Sequence, residues 1–212
     1  MPAPLEALLR DAPITAALLV VCLAVSIPGF FLLRSRSLRR FVVYKPCRAA
    51  PDRSVVGTLL SHFAHGDLGH LALNLFALYI FGPKVEAALG EADFLLLYVL
   101  SGAVATLFIW LLRRRDPRSS SLGASGSIAG ILFAFVVIAP QTKLALLFLP
   151  IPAPAPLFAL GYLLFSSLSM GSRDGVAHEA HIGGALAGFA LAGLLADSGF
   201  TPVIRELERI IS

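Results

Sequence analysis

Apolar residues fall in six blocks along the chain, separated by polar stretches that hold nearly all of the charge. Each block is long enough, and uninterrupted enough, to predict a helix. The expected helices cover about 13–33, 67–81, 94–112, 125–139, 156–170 and 179–196. Residues 1–12 form a short N-terminal lead. Residues 197–212 form a tail in which Val203, Ile204, Leu207, Ile210 and Ile211 recur at helical spacing between charges, as in an amphipathic interfacial helix. Gly82-Pro83 is expected to end the second helix. Pro150, Pro152, Pro154 and Pro156 force turns or extended backbone before the fifth. The first block is long and runs into Arg34, with no small-residue cleavage site, so it reads as a helix and not a signal peptide.

Composition sharpens this into an all-α polytopic membrane protein. Of 212 residues 57% are hydrophobic and 14% charged, against about 25% charged in soluble domains. The net charge of +4 comes from basic residues flanking apolar blocks, which suits anionic lipid headgroups. No aromatic residues interleave with them as a nucleic-acid surface requires, so no nucleic-acid partner is expected. Cys22 lies in an apolar block and Cys47 in a loop, so no disulfide is expected. There is no Cys-x-x-Cys and no histidine set suited to a metal, and no cofactor is called for.

Parity carries the functional argument. With six helices both termini share one membrane side, and the connections 34–67, 113–124 and 171–178 share the other. Three polar constellations attach to those connections. His65 to Asn74 opens the second helix, Ser121 to Gly130 the fourth, and Glu179 to Gly184 the sixth. His70, Ser125 and His181 are therefore expected at one face and at similar depth. Asn74 stacks one turn after His70. Ser125 sits at a helix N-terminus, where unpaired N–H groups favour an anion. These are the parts of acyl transfer: Ser125 as nucleophile, His181 as general base, and the Ser125 N–H with His70 and Asn74 around an oxyanion. One such donor is worth about 3–4 kcal/mol in the transition state. Asp174 and Glu179 are near His181 in sequence, but Glu179 points to another helix face, so a dyad is expected. Small residues at four-residue spacing, Gly126 and Gly130 on one helix and Ala180, Gly184 and Gly188 on the other, allow the close approach a dyad needs.

In these motifs the chain resembles the rhomboid intramembrane serine proteases. The resemblance covers about residues 55–196. It rests on His65-x4-His70-x3-Asn74, Gly123-x-Ser125-Gly126, Ala180-His181-x-Gly183-Gly184 and Gly82-Pro83-x2-Glu86-x3-Gly90. It implies a rhomboid-like six-helix bundle with Ser125 and His181 as the catalytic dyad and His70 and Asn74 at the oxyanion site. It makes His65, Gly123, Gly126, Gly183 and Gly184 supporting motif positions, and His178 a packing residue. The implied substrate is a transmembrane segment of another membrane protein, cleaved near its outer end after local unwinding. The fifth helix and loop 171–178 would move to admit it, and 34–67 would be a half-embedded loop.

Two features depart from the family. An aromatic residue often follows the serine by four positions and stacks on the histidine; here that position is Ala129, which leaves His181 to another ring or to greater mobility. The catalytic-side connections also hold twelve of the seventeen Lys and Arg residues, seven in 34–67, four in 113–124 and one in 171–178. The positive-inside rule would turn that side to the cytoplasm, whereas bacterial rhomboids face it outward. A reporter fused after Ser212 separates the two. A bacterial inner membrane is the expected location. The competing reading is a non-catalytic rhomboid-like protein that binds membrane clients; a small transporter is disfavoured because the middles of the blocks are almost free of charge.

Overall fold

The computed structural model describes residues 4–35, 37–47, 54–146, 149–170 and 177–212. Most of the loop expected at 171–178 lies outside these residues, as do residues 48–53 of the long connection. The helices are α1 (Pro4–Asp11), α2 (Pro13–Leu32), α3 (Val55–Leu60), α4 (Leu68–Leu89), α5 (Glu91–Arg113), α6 (Ser125–Ile138), α7 (Ala155–Leu168), α8 (His178–Leu195) and α9 (Thr201–Ile211). α2, α4 and α5 are each long and apolar enough to cross a membrane. Their outward sides carry exposed Val20, Phe31, Phe76, Val99 and Leu107, as expected of helices whose solvent is lipid. The fold is that of a polytopic helical membrane protein.

The second helix is longer than Gly82-Pro83 suggested. α4 runs through Pro83 to Leu89, and its buried positions Leu71, Asn74, Leu78, Gly82, Val85 and Glu86 keep helical spacing across the proline. Tertiary contacts on α2 outweigh the local cost of Pro83. Glu86 is 3% exposed and accepts from the Ile14 N–H at 2.8 Å and from the Thr15 N–H and Oγ1 at 2.7 Å. A carboxylate so placed satisfies unpaired N–H groups at the start of α2 and complements its dipole. Gly82 gives α2 room, since a Cβ there would lie 2.8 Å from the Thr15 hydroxyl.

α6 is the centre of the bundle. Every residue from Gly126 to Val137 is buried, so no face of it is left for lipid. Against α8 the contact is backbone to backbone. A Cβ on Gly184 would collide with the carbonyl oxygen of Gly126, and one on Gly188 with that of Gly130. This order makes the two helices parallel, with their N-termini at one end. Gly183 faces elsewhere: a Cβ there would lie 2.8 Å from the Phe108 ring of α5. α5 also grips α8 through Arg113, whose Nε donates to Glu179 Oε1 at 2.8 Å. Glu179 is thus committed to an arginine on another helix.

The proline-rich stretch before α7 is extended. β1 (Lys143–Leu146) and β2 (Leu149–Pro154) form an antiparallel hairpin in which Leu144 pairs with Ala153 and Lys143 with Pro154. Prolines at alternate positions all lie on one edge of a strand, so the ladder toward β1 keeps its donors. The basic connection is tied back into the bundle. Tyr44 and Ser121 exchange N–H···O bonds of 2.9 and 3.1 Å, and the Gly123 N–H donates to the Ser61 carbonyl at 2.7 Å. Cys22 and Cys47 are both buried and unpaired.

Candidate active site

Asp67 begins the first wall of the site. Its carboxylate accepts from the His70 N–H at 2.8 Å and caps α4, which fixes where His70 leaves the helix. One turn on, the Asn74 amide donates to the His70 carbonyl at 2.9 Å. That bond uses one of the two N–H groups on its nitrogen. His65 is wholly buried behind His70, their rings edge to face at 5.0 Å. Its Nδ1 lies 2.9 Å from Ser26 Oγ and 3.1 Å from the Phe63 carbonyl, and Ser26 Oγ donates to that same carbonyl at 3.0 Å. A proton on Nδ1 closes this network. His65 thus joins α2 to the start of α4.

Burial between α3 and α4 pushes the His65 imidazole down to about 4, with His70 adding to the effect. The same cause lowers His62. An unfolded histidine titrates near 6.5. Between about 4 and 6.5 the unfolded chain therefore binds the extra proton, and stability rises with pH through that window. Acidification from pH 7 to 4.5 is expected to lower the melting temperature in detergent. His65 accounts for on the order of 3 kcal/mol of that loss. His65→Gln should flatten the dependence, and an unchanged slope in that variant would refute the assignment.

Ser125 begins the second wall. Its helix starts without a side-chain cap, since Ala124 supplies none, so the first N–H groups of α6 are left for another acceptor. The approach to it needs glycine. Gly123 has φ of +125°, a region that side chains rarely adopt. A Cβ there would lie 2.7–2.9 Å from the His70 ring and 3.8 Å from Ser125 Oγ. The imidazole of His70 and the hydroxyl of Ser125 thus flank one point, and Gly123 keeps it open. A 14-residue α6 rises about 21 Å, well short of a hydrocarbon core of about 30 Å.

His181 belongs to the third wall. Gly126 rests on the residue before it: a Cβ on Gly126 would lie 3.5 Å from the Ala180 carbonyl oxygen. Parallel packing of α6 and α8 therefore sets the first turns of the two helices side by side. Rings near His181 include Tyr162 of α7, at 6.0 Å between centroids and 30° between planes, and His178, edge-on at 5.9 Å. His178 is 2% exposed and packs its other side on Phe165 at 5.7 Å.

A small cavity of about 20 Å³ opens beside Ser125, between Tyr44, Ser61, His62, Thr106 and Ser121. It has room for one water molecule. Thr106 Oγ1 donates to the Gly102 carbonyl at 3.0 Å and lies 3.1 Å from His62 Nε2. His62, Thr106 and Tyr162 were not among the expected site residues. His62 differs from His65 only in lying three positions earlier, and an aromatic inside an apolar helix has no spacing to mark it.

Known proteins bear on this arrangement. A family model described as the Rhomboid domain matches residues 52–198. The chain is similar to presenilin-associated rhomboid-like protein A, mitochondrial, of Danio rerio, at 34% identity over 73% of this chain and 42% of that protein. It is similar to rhomboid protein 1, mitochondrial, of Saccharomyces cerevisiae, at 31% over 72% and 44%. It is also similar to RHOMBOID-like protein 12, mitochondrial, of Arabidopsis thaliana, at 32% over 60% and 42%. The chain spans less than half the length of each. These names give no support to the expected bacterial inner membrane, since all three say mitochondrial. A domain match across most of the chain, on the helices that carry Ser125 and His181, makes this integral membrane protein a member of the rhomboid family.

Proposed function

We propose that the chain is an intramembrane serine endopeptidase that cleaves transmembrane segments of other membrane proteins with a Ser125–His181 dyad. The observation that carries the reading is the shared end of α6 and α8. Glycine contacts set their first turns side by side, and Gly123 opens the space between Ser125 and His70. In the first step His181 takes the Ser125 proton as Oγ attacks the scissile carbonyl carbon. The C=O π pair moves to oxygen, and the oxyanion is held by the Ser125 N–H with His70 and Asn74. Collapse breaks the C–N bond, and His181 returns the proton to the leaving amine. Water then repeats the sequence on the ester, releasing the carboxylate and the free serine. The cavity beside Ser125 suits that water. A substrate helix must unwind locally, because a carbonyl bonded within its own helix is not open to attack.

The test is labelling of the purified protein with a small fluorophosphonate, beside cleavage of a single-span substrate in liposomes. The expected result is one label on Ser125, found by peptide mass spectrometry, and a substrate cut within its transmembrane segment. A client-binding protein without catalysis would hold the substrate uncut and take no label, and that outcome would overturn the assignment.

A further inference from the structure

Ala129 follows Ser125 by one turn of α6 and is 3% exposed. Its methyl group packs in a cluster with Phe133, Ala155, Ala159 and Ala185, against which Tyr162 also packs. Tyr162 bridges two rings. One side of its ring meets Phe133 at 5.8 Å and 58°, and another meets His181 at 6.0 Å and 30°. One turn along α7, Phe165 meets His178 edge-on. Residues 162 and 165 of α7 thus clasp residues 181 and 178 of α8.

An imidazole turns about χ2 in a broad well. A base that must take a proton from one hydroxyl needs its ring held to within about 10–20°. A ring tilted 30° against the imidazole at this separation lies in packing contact with it, and that contact resists the rotation. We infer that Tyr162 is a positioning residue that seats His181, in place of any ring on α6. The inference rests on the proposed dyad. It puts the seat of the base on a helix whose buried residues are only Ala155, Pro156, Ala159 and Ser166, while Leu160, Leu164, Phe165 and Leu168 are exposed.

Four variants test it: Tyr162→Phe, Tyr162→Ala, Tyr162→Ala combined with Ala129→Phe, and Leu160→Ala as an exposed neighbour. Each is read by the rate of fluorophosphonate labelling, by kcat and KM on the single-span substrate, and by melting temperature. Labelling needs the base but no helical substrate, so it separates seating of His181 from substrate entry. Tyr162→Ala is expected to slow labelling and kcat together by about 10–100-fold, with KM unchanged. Tyr162→Phe should stay within about twofold of the parent, because the ring and not the hydroxyl does the seating. Ala129→Phe should restore much of the labelling rate by supplying a ring from α6. Leu160→Ala should match the parent. A labelled parent with Tyr162→Ala at the parent rate overturns the Tyr162 role alone, as does a Tyr162→Phe variant as slow as Tyr162→Ala. A parent that takes no label on Ser125 sinks the dyad first and this inference with it.

Discussion

Ser125→Ala and His181→Ala are each expected to remove cleavage of a single-span substrate, by at least about 10⁴-fold. The reason is that nucleophile and base act as a unit. Without the hydroxyl there is nothing to acylate, and without the imidazole the hydroxyl keeps its proton. The double variant should therefore be no slower than either single one. Asn74→Ala and His70→Ala belong to a different class. On the proposed mechanism each would remove one donor from the oxyanion and leave the dyad intact, which predicts a loss nearer 10²–10³-fold. Initial rates in liposomes, measured with melting temperatures, distinguish the two classes. Cleavage by Ser125→Ala at the parent rate would end the mechanism.

Gly184→Ala is expected to have a large effect on stability. The new methyl meets the carbonyl oxygen of Gly126, which is backbone and has no rotamer to give way. α6 and α8 must separate, at a cost of about 3 kcal/mol, and the first turns that carry Ser125 and His181 separate with them. The same change at Gly161 tells packing from composition. A Cβ there has nothing within 4 Å, so Gly161→Ala should leave activity unchanged and gain up to about 1 kcal/mol of helix propensity. Thermal unfolding of the two variants in one detergent makes the comparison. Equal melting temperatures would show that the helices do not meet where Gly126 and Gly184 place them.

The fold class and the family were legible in the sequence, and so were the polar positions on which the proposed chemistry rests. Ser125, His181, His70 and Asn74 stand out because polar groups at the ends of apolar blocks are few. Small residues four apart on two blocks could mean only close helix contact. The end of α4 was misread because Gly-Pro is a local stop signal, while the residue that overrules it, Glu86, finds its partners at Ile14 and Thr15, 72 and 71 positions away. Nothing local reveals that. Tyr162 was hidden for a related reason. Its value lies in which ring it meets across α7 and α8, and in sequence it is one more aromatic among leucines. The hairpin before α7 was half visible: alternating prolines announced turns or extended backbone, which Pro150, Pro152 and Pro154 supply while Pro156 opens α7, but not that Lys143–Leu146 would pair with it.

The clasp of Glu86 on the start of α2 bears on how the bundle is assembled. A helix entering lipid with a carboxyl group near one end and no partner for it is poorly settled on its own. Once α2 is alongside, the same carboxylate finds three donors ready. The segment Pro13–Leu32 is therefore not a detachable anchor, and cutting it away would leave the buried Glu86 carboxyl without its three donors. The burial of Glu86 in α4 is thus completed by α2, a segment that lies outside the matched domain of residues 52–198.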